Sequence, residues 1–192
     1  MRGKTMILAT AMPVLATPGS WAQLPDNSAL KSEQAEKMRS LAWLDGEWRG
    51  EATIAMPGGD LMIIQTERIG PMLDGGAKVI EGRGYTFDGK LAFNALGVVT
   101  YDAYAKKYEI HSLNDGRTCI FPLQVTNEGY NWQTPAGPNS TIQYVVKFRD
   151  GLWIETGSLV TKNAPAKQFI EMRLKRVAST KWPLGSPLGP KK

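Results

Sequence analysis

The sequence predicts an all-β fold: an antiparallel up-and-down barrel of about ten strands, preceded by one short N-terminal helix. The first observation behind this is a ladder of turn signals between Pro57 and Pro165. They are Pro57-Gly58-Gly59, Asp74-Gly75-Gly76, Asp88-Gly89, Asp102 to Lys106, Asp115-Gly116, Asn127-Glu128-Gly129, Pro135 to Pro138, Asp150-Gly151 and Asn163 to Pro165. Gly supplies the positive φ of a tight hairpin, and Asp or Asn bonds back to its own backbone. The second observation is that the intervening segments alternate with period two, not 3.6. The third is length: a meander of this many strands carries two bare edges unless it closes on itself.

The ends of the chain read differently. Arg2 and Lys4 precede an apolar run from Met6 to Ala16, and Ser20-Trp21-Ala22 places small residues at the −3 and −1 positions of a cleavage site. Residues 1–22 therefore read as a secretory signal peptide cut after Ala22, too short to span a bilayer and followed by no lipoprotein cysteine. The mature chain is expected in the periplasm or outside the cell. Removing this segment lowers the basic count from 23 to 21 against 18 acidic residues, a net charge of +3. The basic residues are spread along the strands without a dense stripe, so nothing points to nucleic acid. No later run is apolar enough to insert in a membrane. Residues 178–192 hold Pro183, Pro187 and Pro190 with Gly185 and Gly189, and read as a loose tail.

Between these ends, residues 23–43 form an N-terminal segment and residues 44–177 the barrel domain. Ser28 to Trp43 has helical spacing at Leu30, Gln34, Met38 and Leu41, with Ser28 as the expected cap and Asp45-Gly46 as the stop. Such a helix would seal one end of the barrel. In the first strand Trp48, Gly50, Ala52, Ile54 and Met56 share the expected inward face. Leu91, Phe93, Ala95, Gly97, Val99 and Tyr101 do so in the fourth strand, and Ile142, Tyr144, Val146 and Phe148 in the eighth. In the last strand the face is Ile170, Met172 and Leu174. Three segments are mixed. Leu61 to Arg68 has no clean face; Val79 and Tyr85 share a side with Glu81 and Arg83; Glu155 lies on the side of Trp153. Charges on an apolar face sit at a barrel rim or point into a cavity.

Motifs for cofactor chemistry are missing. His111 is the single histidine, on the side of its strand opposite Tyr108 and Ile110, and is expected to face solvent. There is no CxxC, HExxH, GxSxG or phosphate-binding loop, and no cofactor or metal is expected. Cys119 is the single cysteine, within Thr118-Cys119-Ile120-Phe121, and is expected to be a buried apolar side chain. The candidate ligand-binding lining is Trp48, Glu67, Glu81, Arg83, Tyr144, Trp153 and Glu155. An Arg beside carboxylates can clamp an acidic ligand, and an under-paired carboxylate in an apolar interior would have a raised pKa. Structural ion pairing is the competing reading for each residue.

The chain resembles an exported bacterial domain-of-unknown-function family with a lipocalin-like, or calycin-like, β-barrel. The resemblance rests on Leu44-Asp45-Gly46-Glu47-Trp48-Arg49-Gly50, Gln65-Thr66-Glu67-Arg68, Leu73-Asp74-Gly75, Glu81-Gly82-Arg83-Gly84, Gly97-Val98-Val99-Thr100-Tyr101-Asp102 and Glu171-Met172-Arg173-Leu174-Lys175-Arg176. The Gly-x-Trp-x-Gly opening is shared more distantly with fatty-acid-binding and nitrobindin-type haem barrels. The nitrobindin-type resemblance implies a haem held by a late histidine, and this chain has none after His111, which leaves haem a minor alternative. The first expectation for function is a non-enzymatic barrel binding a small lipophilic or acidic ligand. A carboxylate-based acid/base enzyme and a solid-barrel interaction protein are the alternatives.

Overall fold

The computed structural model describes residues 26–184. The signal-peptide segment and the end of the proline-rich tail lie outside the described residues. Helix α1 (Ser28–Met38) runs into a 3-10 turn (Arg39–Leu44). Ten strands follow: β1 (Gly46–Ile54), β2 (Leu61–Met72), β3 (Ala77–Tyr85), β4 (Leu91–Asp102), β5 (Lys107–Asn114), β6 (Arg117–Val125), β7 (Gly129–Pro135), β8 (Ser140–Arg149), β9 (Leu152–Thr161) and β10 (Lys167–Ala178). Each pairs antiparallel with its neighbours in sequence, and β10 pairs with β1 to close the barrel. The all-β expectation holds. The turns behave as their residues require: Asp115 and Gly116, and Asp150 and Gly151, all adopt positive φ, as do Lys106 and Asn163.

Closure divides every strand into an inner and an outer face. On β1 the inner Trp48 and Ala52 are buried, while Arg49 and Glu51 are exposed. The ladder between β6 and β7 is the shortest, pairing only Leu123 with Trp132, Gln124 with Asn131 and Val125 with Tyr130. Pro122, which has no N–H to donate, lies just beyond the last pair.

Helix α1 and the 3-10 turn cross one end of the barrel. Met38, Leu41 and Leu44 are buried in one core with Trp48, Trp153 and Leu174. Polar contacts seat the helix on the β4–β5 hairpin. The Gln34 amide donates to the Tyr101 carbonyl at 2.8 Å, the Tyr108 hydroxyl donates to the Lys37 carbonyl at 2.9 Å, and Lys106 pairs with Glu33 at 2.6 Å. Trp48 closes the join by donating its indole N–H to the Leu44 carbonyl at 2.7 Å. The buried ammonium of Lys78 meets Asp45 at 2.5 Å, tying β3 to the residue where the 3-10 turn ends. Ser28 is not the cap. Asn27 occupies that position without a side-chain bond, and the Asp26 carboxylate accepts from the Ser28 N–H at 2.9 Å. The acceptor lies two residues before Ser28, where an Asp carboxylate bonds to the backbone two residues on.

The start of the tail, as far as Leu184, lies against β2. Arg68 lies over the ring of Trp182, 4.6 Å from its centroid, and Gly70 lets that segment approach: a Cβ at Gly70 would stand 1.8 Å from the Trp182 carbonyl oxygen. The missing side chain at Gly70 and the Arg68 guanidinium on the Trp182 ring together provide the seat.

The plug carries much of the core, so its apolar contacts should be costly to lose. Leu41→Ala is expected to destabilise the protein by about 2–5 kcal/mol in denaturant unfolding. Leu73→Ala, at a side chain that is 73% exposed, should change stability by less than about 0.5 kcal/mol.

Candidate functional site

Ten strands enclose more volume than their inner side chains fill once the plug occupies only one end. Above Trp48 and Trp153 a cavity of about 360 Å³ remains. It lies toward the end formed by the β1–β2, β3–β4, β5–β6 and β7–β8 hairpins. Its walls are mostly apolar, including Ile63, Ile80, Phe93, Ile110 and Met172. Its floor is aromatic: Trp153 packs edge-on against Trp48 at 5.8 Å and against Trp43 at 6.0 Å, and Trp43 stacks on Phe148 at 5.0 Å. One wall is a stacked pair, Trp132 on Tyr144, with ring centroids 4.3 Å apart and planes 13° from parallel.

Two carboxylates project into this space. Glu67 on β2 is buried and accepts a hydrogen bond from the Gln65 amide at 2.7 Å. It lies opposite Gly82 in the β2–β3 ladder, and a Cβ there would come within 2.8 Å of the Glu67 Oε1. The glycine is what lets the carboxyl lie against β3. Glu155 on β9 keeps some accessible surface because it faces the cavity, yet it is surrounded by the barrel. Burial raises both groups. Glu67 is pushed up from 4.5 to about 8, against a partial lowering by Gln65 and with a further push from the Glu155 charge. Glu155 is pushed up to about 7, with the Trp132 and Trp153 indoles acting in the opposite direction. Tyr130, buried between them in electrostatic reach of both, is raised well above 10.0, chiefly by burial. Burial and the Glu155 charge push Tyr144 up to about 12.

The Trp153 indole N–H lies toward Glu155 but does not reach hydrogen-bond geometry. Among the described residues it is the one buried side-chain nitrogen or oxygen with no partner. Among the described residues no lysine or arginine lines the cavity.

Of the seven candidate residues, Glu67, Tyr144, Trp153 and Glu155 come together here. Trp48 lies beneath them, fully buried in the floor. Glu81 and Arg83 do not join them: both are on the outer face, where Glu81 bridges Arg68 at 2.5 Å and Arg83 at 2.7 Å. Burial alone would raise Glu81, but the hydrogen bonds from Arg83 and Arg68 outweigh it and hold the carboxyl below its usual range. The reason for the inversion is that the inner positions of β3 include Gly82 and Gly84. With no side chain there, the apolar alternation that marks an inner face vanishes. His111 is on the outer face and partly exposed, 3.9 Å from Glu109. Cys119 is exposed, contrary to expectation. It pairs with the cavity-lining Ser112, but at the rim, where being on the inner face does not bury a side chain.

Gln65, Tyr130, Trp132 and Phe93 complete the site without having been singled out as lining. Gln65 is two residues before Glu67, and Tyr130 is two before Trp132. Strand period was the available signal in both cases.

Fold and interior together define a closed ten-stranded barrel with an aromatic-floored, carboxylate-bearing cavity. No family model matches the chain, and no curated protein does. Among solved structures, the crystal structure of Rv2717c from M. tuberculosis is similar in fold. Its TM-score is 0.54 at 11% identity, over 72% of this chain and 96% of that one.

The raised carboxylates make stability pH-dependent with a definite sign. Below the ordinary value of 4.5 both groups are neutral in folded and unfolded chains alike, and the contribution to stability is complete. As pH rises towards about 8 the unfolded chain releases protons that the folded chain must keep or ionise in a poor environment, so that stability is lost. Glu67→Gln should therefore gain on the wild type between pH 4.5 and about 8 by on the order of 1–3 kcal/mol. Thermal melts across that range measure it. Parallel curves for the two proteins would contradict the assignment.

Proposed function

We propose that this protein binds a small, partly apolar molecule inside its barrel. The observation that carries the reading is the cavity itself. At about 360 Å³ it falls within the range of small-molecule pockets, roughly 300–1,000 Å³, and it combines apolar walls with a few converging polar groups, as such pockets do. Ile63, Ile80 and Phe93 offer contact area, the Trp132–Tyr144 pair offers a flat face, and Glu67, Glu155 and Tyr130 offer polar contacts at depth. The clamp expected from Arg83 is not part of this proposal, since that side chain is on the outer face.

The location proposed for this binding is outside the cytoplasm. The support is the basic, apolar, small-residue order of residues 1–22 and the resemblance to exported lipocalin-like barrels. The likeness to Rv2717c supports the barrel and adds nothing about its ligand.

A second reading, an acid/base enzyme, draws on the same two carboxylates. Both open on the cavity, and both have pKa values raised toward neutrality, where proton transfer is efficient. Glu81 takes no part in it. Binding alone needs only the cavity, and so is the reading preferred.

Two measurements test the proposal. Titration with small apolar probes should give a saturable change in tryptophan fluorescence, because Trp153 and Trp132 line the cavity. Ala95→Phe, which fills part of that space, should weaken binding at least about tenfold, equivalent to about 1.4 kcal/mol. An unchanged affinity would place the probe elsewhere. For the location, the mass of the protein recovered from the envelope fraction should correspond to a chain beginning at Gln23. A full-length chain in the cytosol would contradict export.

A further inference from the structure

We infer that the ligand of this barrel is a cation: an organic amine or quaternary ammonium, its charged head held by Glu67 and Glu155 among the aromatic rings and its apolar body directed toward the mouth. The inference rests on the cavity being the ligand site and adds the chemical class of the ligand.

Glu67 and Glu155 share one interior, and the groups around them are Gln65, Tyr130, Trp132 and Trp153, none of them cationic. Lys78, the buried cation on the inner side of β3, is already paired with Asp45 at the plugged end. Arg68 and Arg83 are on the outside, paired with Glu81. Arg117 on β6 is exposed at the rim. Among the described residues neither interior carboxylate has a cationic partner, so each ionises only at the cost of an unpaired buried charge. A cationic ligand supplies that partner. An acidic ligand would add like charge to whichever group is ionised, and a neutral one would gain nothing from either.

The rings make the same choice. The Trp132–Tyr144 stack, Tyr130 and Trp153 present electron-rich aromatic surface beside the carboxylates. Such faces attract an ammonium, the more so when it is stripped of water. The unpartnered Trp153 N–H is a separate indication. It lies toward Glu155, and charge on that carboxyl would make it the stronger acceptor for this donor. A cation that keeps Glu155 ionised therefore favours this contact.

Charge pairing also sets the pH dependence. Without ligand, burial keeps Glu67 largely protonated and Glu155 partly protonated near pH 7. A permanent cation favours the ionised forms, so its binding expels protons and strengthens as pH rises.

The test uses three probes of similar size: benzyltrimethylammonium, its neutral carbon isostere neopentylbenzene, and 3-phenylpropionate. Affinities are measured by tryptophan fluorescence at about pH 9 and about pH 6, on either side of the proposed ionisations. The ammonium should bind at least about tenfold more tightly than the neutral isostere at the higher pH, with the margin shrinking at the lower. Glu67→Gln/Glu155→Gln should abolish the margin while retaining the neutral probe, whose binding also shows that the variant is folded. Glu155→Gln alone, at the more accessible of the two positions, should remove part of it. Equal or tighter binding of neopentylbenzene to the wild type would overturn the cation assignment and leave the cavity as a binding site. Preference for 3-phenylpropionate would overturn it equally. Failure of all three probes to bind would overturn both the assignment and the reading of the cavity beneath it.

Discussion

The hydrogen-bonded ladder between β1 and β10 is the constraint on which the rest depends. It joins the first strand to the last across eight residue pairs, from Glu47 with Ala178 to Ile54 with Ile170. Once it forms, no strand has a free edge, and every side chain is assigned to the inside or the outside by alternation alone. The interior of ten strands is then too wide for its own inner side chains to fill. Helix α1 and the 3-10 turn fill one end with Met38, Leu41 and Leu44, and the other is left open. The cavity follows from strand number and a plug at one end only.

Charge is sorted by the same alternation. Outside, acids and bases find each other: Glu81 with Arg68 and Arg83, Glu171 with Arg173, Lys107 with Glu109. Those pairs are largely solvated and add little stability. Inside, among the described residues, Glu67 and Glu155 face no lysine or arginine. A protein selected for stability alone would not keep two such groups in an apolar interior when Gln or Leu would sit there at lower cost. Their presence supports the proposed reading of the cavity as a binding site, and Gly82, which vacates space for Glu67, is part of the same arrangement.

The barrel was largely legible from the chain because its signals are local and repeated. Asp115-Gly116 and Asp150-Gly151 dictate tight hairpins wherever they occur, and the inner faces of β4, β8 and β10 announce themselves by apolar residues at every second position. The site was legible only in part. Glu67, Tyr144, Trp153 and Glu155 were recognisable as polar or aromatic residues sharing a strand face with apolar ones. Glu81 and Arg83 misled because the inner face of β3 is built partly from glycine, and a face with no side chains gives no apolar signal. Cys119 misled for another reason: depth along the barrel axis, which is set by the stagger of non-adjacent strands, is invisible in a single strand's alternation. The meeting of β2 with β9 across the interior has the same origin. Their sequence separation is long, and only closure brings Glu67 within reach of Glu155.

The central claim is that two carboxylates sit uncompensated in the interior and hold protons near neutral pH. Carbon-detected nuclear magnetic resonance of the glutamate side-chain carboxyls, followed through a pH titration, measures this directly. Glu67→Gln and Glu155→Gln would assign the two resonances. The account predicts midpoints at about 8 for Glu67 and about 7 for Glu155, with the former lowered when Glu155 is replaced. Titration of both at or below the ordinary value of 4.5 would show that water or a cation already compensates them, and would contradict it.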